Sequence, residues 1–320
     1  MRCAILDDYQ NVALNYGDWN AVEAKAELRV FNDHIADREA LVRALADFEI
    51  VVAMRERTRF DRDLFARLPR LKLLVTTGMV NASIDLAAAT ERGVMVCGTG
   101  GVPYPTAEVT WALILSLLRR VPFEYGEFRR GGRWQSSVGV DLNGKRLGLL
   151  GLGRLGARVA RVALAFEMKV AAWSKNLTPE RCAAAGVELA RSLDELLGTS
   201  DIISIHLVLS DRTRGLIGTR ELGLMKPTAF LINTSRGPIV DEAALIAALR
   251  ARKIAGAGLD VFDEEPLPAG HPLRSLDNVV ATPHMGYVTA DTYRVFYGEA
   301  AADVIAWLDG KPVRVLNPIK

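Results

Sequence analysis

An apolar run, Arg146–Leu150, passes without interruption into Gly151-Leu152-Gly153-Arg154-Leu155-Gly156 and then into a helical pattern, Arg154–Phe166. A buried strand that turns through G-x-G-x-x-G into a helix can serve few folds. Gly151 permits the tight turn, Gly153 lets backbone approach a diphosphate closely, and Gly156 lets helix and strand pack. The free N–H groups of the helix N-terminus then face an anion. With both flanks correct and a second strand ending at Trp173, the segment reads as a dinucleotide site rather than a packing turn. Gly151, Gly153, Arg154, Leu155 and Gly156 are its expected contacts.

The rest of the chain repeats that alternation. Short runs rich in Val, Ile and Leu are separated by longer helical patterns, as in parallel sheets covered on both faces. The spacing predicts strands at Cys3–Leu6, Leu28–Phe31, Ile50–Ala53, Lys72–Val75 and Val94–Cys97. A second series covers Arg146–Leu150, Lys169–Trp173, Ile202–Leu207, Ala229–Asn233, Gly256–Val261 and Val279–Ala281. Helices fit at Asp37–Leu45, Arg154–Phe166, Leu193–Leu197, Glu242–Arg250 and from Thr289 to about Leu308. Thr106–Leu118, after Pro103 and Pro105, reads as a long, mostly apolar helix buried all round, and Gly126–Gly144 as a loop with one short element. The fold class is therefore α/β, with two doubly wound parallel-sheet domains. A length of 320 residues suits two such units.

Composition narrows the function. Forty Lys plus Arg against 38 Asp plus Glu leave a formal charge of +2, so nothing draws the chain to nucleic acid or to an anionic membrane. The longest apolar stretch, Val109–Leu118, is too short to span a bilayer, and Asp7, Asp8 and Gln10 interrupt any signal-peptide core. Cys3, Cys97 and Cys182 lack a disulfide framework's spacing, and four scattered histidines offer no metal site. A cytoplasmic location is expected.

Three later strand ends carry polar motifs: Asn233-Thr234-Ser235-Arg236-Gly237, Gly258-Leu259-Asp260 through Glu265-Pro266, and Thr282-Pro283-His284-Met285-Gly286. An arginine, an acid and a histidine on one edge of a nucleotide-binding sheet form an anion-binding acid/base set. Together with the glycine motif, these segments resemble the D-isomer-specific 2-hydroxyacid dehydrogenases over essentially the whole chain, in order.

That resemblance implies a flavodoxin-like substrate domain from residues 1–99 and 287–320, and a Rossmann NAD(P) domain from 100–286. Arg236 would hold the substrate carboxylate and reacting carbonyl oxygen. His284 would be the proton donor in reduction, and Glu265 the acid that favours its charged form. Register against Pro266 selects Glu265 from the acidic run Asp263-Glu264-Glu265. Arg55, in Met54-Arg55-Glu56-Arg57-Thr58, and the backbone at Met79 and Val80 are implied carboxylate contacts, although Arg55 or Arg57 could instead be a solvated loop charge. Thr106 lies near the nicotinamide in relatives but also suits a first helical turn. Asp260, Thr234 and Leu207 complete the implied cofactor contacts. His206 reads as structural, and relatives often carry a proline two positions beyond it that is missing here. Tyr287, where relatives have a small residue, brings a ring to the active-site mouth.

The implied reaction passes a hydride between a nicotinamide and a small 2-keto or 2-hydroxy acid of D configuration. Rival readings are a corepressor-like, cofactor-sensing scaffold and a dehydrogenase of formate or phosphite. After Trp173 come Ser174-Lys175-Asn176, with no acid before Glu180, which favours NADP modestly while leaving NAD usable. A Lys175 directed to solvent would leave both equally acceptable. The apolar helix Thr106–Leu118 and the Arg- and Gly-rich stretch after it suit a homodimer, unless that helix is simply buried within its own domain.

Overall fold

The computed structural model describes residues 1–317 and divides into two compact units, Met1–Val102 with Val288–Lys320, and Pro103–Tyr287. The first unit carries β1 (Arg2–Ile5), β2 (Glu27–Val30), β3 (Ile50–Ala53), β4 (Leu73–Thr76) and β5 (Met95–Gly98). All pair in parallel, in the order β2-β1-β3-β4-β5. Every residue of β3 and β4 is buried, which explains why both are continuous apolar runs rather than alternating ones. Aspartates start the intervening helices: Asp37, Asp61 and Asp85 each accept an N–H three residues on.

The long helix Ala290–Leu308, capped by Thr289, belongs to this unit and packs against β4. Its buried face includes Tyr293, Phe296, Tyr297, Ala300 and Val304. The Tyr293 hydroxyl donates to Gln10 at 2.8 Å, and that of Tyr297 to Asp8 at 3.3 Å. Beyond the helix, Leu316 N–H donates to Val96 O, and the Asn317 amide caps the edge of β5.

The second unit holds β6 (Arg146–Leu150), β7 (Lys169–Trp173), β8 (Glu188–Leu189), β9 (Ile202–Ile205), β10 (Phe230–Asn233), β11 (Gly256–Leu259) and β12 (Val279–Ala281). They form a parallel sheet in the order β12-β11-β10-β9-β6-β7-β8. Counted from β6, this is the 3-2-1-4-5-6 order of a doubly wound nucleotide-binding fold with one further strand, and its order reverses between β6 and β9. Helices cover both faces.

Three expectations need correction. The helix Pro105–Leu118 is not buried all round, since Glu108 and Ala112 are exposed along one stripe. The loop expected from Gly126 is preceded and entered by a helix, Val121–Arg129, which tolerates Gly126 in its interior. The two-residue strand Glu188–Leu189 was not expected, because it is too short to show periodicity and exists only by pairing with β7.

Candidate active site

The glycine turn has the geometry that its sequence requires. Gly151 has φ +100°, and a Cβ there would lie 2.6 Å from the His206 carbonyl oxygen. A Cβ on Gly156 would meet the Gly151 oxygen at 2.2 Å, so this position holds helix against turn. A Cβ on Gly153 would meet nothing within 4 Å. Gly153 is also the extended N-cap of the helix Arg154–Ala165, with no side chain to occupy the first-turn N–H groups. An open backbone surface at a helix N-terminus fits a diphosphate, and Arg154 and Leu155 form its first turn. The Gly151 N–H donates to Trp173 O, which ties the turn to the end of β7. Ser174, Lys175 and Asn176 follow there in a turn closed by Leu177 N–H on Ser174 O at 3.1 Å. No carboxylate occupies 174–176, and Glu180 is exposed in the next helix.

His206 is structural in this setting. Its Nε2 lies 2.9 Å from Ser204 Oγ, and burial lowers the imidazole pKa to about 4. Leu207 follows it half-buried, with its carbonyl accepting the Ser235 hydroxyl.

The polar motifs after β10, β11 and β12 meet through their backbones. Gly237 lies so close to Phe262 that a Cβ would stand 2.1 Å from the Phe262 carbonyl carbon. The Arg236 loop thus packs directly on the segment that carries Glu265. Arg236 is extended and half-buried, and its Nη1 donates to Ser235 O at 2.6 Å. The amide of Asn233 donates to Arg236 O, and Thr234 is buried with its hydroxyl 2.8 Å from that of Thr110.

Glu265 accepts the Phe262 N–H through Oε1 at 2.9 Å and faces His284 Nδ1 through Oε2 at 2.5 Å. His284 has φ +51°, an unusual value for a residue with a side chain, so the surrounding loop must hold it. Asp260 supplies that restraint. Almost wholly buried, it accepts the Thr282 hydroxyl and Met285 N–H through Oδ1, and the Gly286 N–H through Oδ2. Burial raises the Asp260 carboxyl above the ordinary aspartate range, against the opposing pull of these hydrogen bonds and the nearby His284. Thr106 donates to Gly286 O at 3.0 Å, fixing the same loop from the helix Pro105–Leu118. The ring of Tyr287 stands edge-on to the imidazole, with centroids 5.6 Å apart.

Within the first unit, the ends of β3 and β4 bring Arg55 onto the 78–80 loop. Arg55 (φ +49°) donates from its backbone to Thr77 Oγ1 and from Nη1 to Thr77 O. A Cβ on Gly78 would fall 2.0 Å from that Nη1. Met79 and Val80 beyond it are 47% and 77% exposed, an unusual display of apolar side chains at a sheet's carboxyl edge. Arg57 takes another direction, donating to Asp7 O and lying over the Tyr9 ring. The resemblance pointed to Arg55, whereas the residues alone left either arginine open as a solvated loop charge.

Two features escaped sequence reasoning altogether: the loop-holding bonds of Asp260, and Arg181, whose Nη2 donates to the Leu152 carbonyl at 3.3 Å. A basic residue one helix beyond the second strand was the available signal for Arg181.

A dinucleotide turn at the start of a doubly wound sheet, with a histidine–carboxylate pair at its far strand ends, defines a nicotinamide-dependent oxidoreductase. Residues 111–286 match the D-isomer specific 2-hydroxyacid dehydrogenase, NAD binding domain. The chain is 45% identical over 270 residues to a glyoxylate reductase of Aeropyrum pernix, covering 81% of this chain and 80% of that one. A D-3-phosphoglycerate dehydrogenase of Archaeoglobus fulgidus is 35% identical over 98% of this chain, which spans only 58% of that longer protein. The crystal structure of a phosphoglycerate oxidoreductase from Vibrio cholerae superposes with a TM-score of 0.90 at 36% identity, over 97% of this chain and 99% of that one. The chain belongs to the D-isomer-specific 2-hydroxyacid dehydrogenase family. It is an enzyme that uses NAD or NADP and acts on a small hydroxy or keto acid. Among the described residues, no helix is long and apolar enough to cross a membrane.

Proposed function

We propose that this enzyme reduces a small 2-keto acid, with His284 as proton donor, Glu265 as its partner and Arg236 as the anchor of the reacting group. The observation that carries this reading is the 2.5 Å contact between Glu265 Oε2 and His284 Nδ1. With Nδ1–H given to the carboxylate, the proton available for transfer is on Nε2. A bound reduced nicotinamide supplies the hydride for the carbonyl carbon. Arg236 offers a guanidinium to the carboxylate and to the developing oxyanion, with Arg55 and the Met79–Val80 backbone as further carboxylate contacts. Gly151, Gly153, Arg154, Leu155 and Gly156 bind the diphosphate, and Ser174 and Lys175 the ribose. Thr106, Leu207, Thr234 and Asp260 line the remaining cofactor path.

Glyoxylate is the first substrate to test, since the relative at 45% identity is a glyoxylate reductase. Purified protein with reduced cofactor is assayed against glyoxylate, hydroxypyruvate, pyruvate and phenylpyruvate. Oxidation of cofactor with at least one is expected, and none with any would overturn the reading.

The substrate-binding role belongs to the unit formed by the two chain ends, and the NAD(P)-binding role to the central unit. The assembly is a homodimer in this reading, supported by a run of exposed aromatic and apolar side chains in the central unit: Phe123, Tyr125, Phe128, Trp134 and Val138. Light scattering at micromolar concentration tests it, with a monomer as the contrary result. A cytoplasmic location accords with three buried, unpaired cysteines.

The cofactor preference is for NADPH, modestly, because 174–176 offers two donors and a cation where an acid would repel a 2′-phosphate. Comparison of kcat/KM for the two cofactors decides it, and Ser174→Asp should swing the ratio toward NADH.

A further inference from the structure

The loop that carries Glu265 is held from outside the histidine–carboxylate pair. Glu242 is the first residue of the helix Glu242–Arg250, whose start is fixed by the Asp241 carboxylate accepting the Ala244 N–H at 3.0 Å. From that rigid base the Glu242 side chain reaches the segment that follows β11. Its Oε1 lies 3.0 Å from His271 Nε2, and its Oε2 accepts the Asp263 N–H at 3.4 Å. Both Glu242 and His271 are mostly buried, which sets the contact apart from the many ion pairs on the surface.

His271 closes the far side of the same segment. Its Nδ1 accepts the Leu273 N–H at 3.4 Å, so Nε2 carries the proton that Glu242 accepts. Arg274, on the short helix that His271 starts, donates from Nε to Pro268 O at 2.9 Å and from Nη2 to Leu267 O at 2.6 Å. One carboxylate thus holds the chain just before Glu265 and also the histidine that begins the Arg274 anchor after it. The Asp263 N–H is one peptide on from the Phe262 N–H that Glu265 Oε1 accepts, so a shift of the first displaces the second.

We infer that Glu242 is a positioning residue of this enzyme: by bridging His271 and the Asp263 N–H, it fixes the backbone that aims Glu265 at His284. A catalytic contact is only as well placed as the residues that support it. The inference rests on the reading of Glu265 and His284 as the proton-transfer pair and extends it to the residue that keeps the pair in register.

Glu242→Gln is the test, since an amide offers one acceptor oxygen and can serve His271 or Asp263 but not both. With cofactor saturating and the best keto acid of the panel, kcat should fall about fivefold or more while KM changes less than about twofold. A double-mutant cycle with Glu265→Gln separates positioning from a general loss of stability. If Glu242 acts through Glu265, the double variant should turn over within about twofold of Glu265→Gln alone. Circular dichroism and urea unfolding accompany each protein. Should Glu242→Gln fail to fold, His271→Gln, which frees only one end of the bridge, carries the same cycle with a smaller expected loss. Parental kcat in a folded Glu242→Gln, or losses that multiply in the double variant, overturns the inference. Parental kcat in Glu265→Gln overturns the reading of the proton-transfer pair, and this inference with it.

Discussion

Oε2 of Glu265 lies 2.5 Å from Nδ1 of His284, while its other oxygen accepts the Phe262 N–H at 2.9 Å. The carboxylate is therefore held by backbone as well as by the imidazole. Each partner can be altered with the other left in place.

His284→Gln should lower kcat by about 10²–10⁴, the ordinary worth of a placed general acid, with the circular dichroism of the fold unchanged. Glu265→Gln keeps the shape and removes the carboxylate that accepts from Nδ1 of His284, so reductive turnover should fall. Steady-state rates check both. Near-parental turnover by His284→Gln would remove the proposed acid.

Asp260→Asn tests the restraint on the histidine loop. One carboxylate oxygen accepts from Thr282 and Met285, the other from Gly286, and an amide can accept at only one end. Losing a buried acceptor costs about 1–3 kcal/mol. The expected result is a drop in kcat of about tenfold or more with secondary structure intact. Unaltered kcat would show that the loop holds His284 at φ +51° without this help.

Gly156→Ala places a methyl 2.2 Å from the Gly151 carbonyl oxygen, which is backbone and cannot swing aside. Overpacking of this kind costs about 1–3 kcal/mol. Urea unfolding should show that loss, and dinucleotide titration should show weaker binding. Gly153→Ala, where the added carbon meets open space in the protein, should spare stability and weaken binding alone.

Two buried groups should impose opposite pH trends on stability. Burial raises Asp303 to about 6, partly offset by Arg314, so between about pH 4 and 6 the unfolded chain ionises first and stability falls as pH rises. Burial lowers His206 to about 4, so stability is lost as pH falls from about 6.5 to 4. Asp303→Asn should remove the first trend and be no less stable than the parent at pH 7, whereas His206→Gln should remove the second. Each effect is on the order of 1–3 kcal/mol. Urea midpoints at pH 4.5, 5.5 and 7 measure them, and parallel curves for all three proteins would contradict both assignments.

What the sequence determined by itself was local. Arg146–Leu150 followed by three spaced glycines can form little but a strand, a tight turn and a helix, because only glycine accepts φ +100° at 151 and the close approach at 156. Asp37 was legible as a helix start ahead of its periodic segment, since an N-cap bond spans three residues. The Glu265–His284 pair was legible through the family resemblance of two short motifs, with Pro266 setting the register. Contacts across long stretches of chain were decided only by the tertiary structure. It placed Ala290–Leu308 against β4 and separated the roles of Arg55 and Arg57. It committed both oxygens of Asp260 to residues 22 to 26 positions away, and laid Arg181 on the carbonyl of Leu152. Periodicity records which face of an element is apolar, but not which partner meets it. A polar side chain's partner is fixed only when the sheet order brings distant loops to one edge.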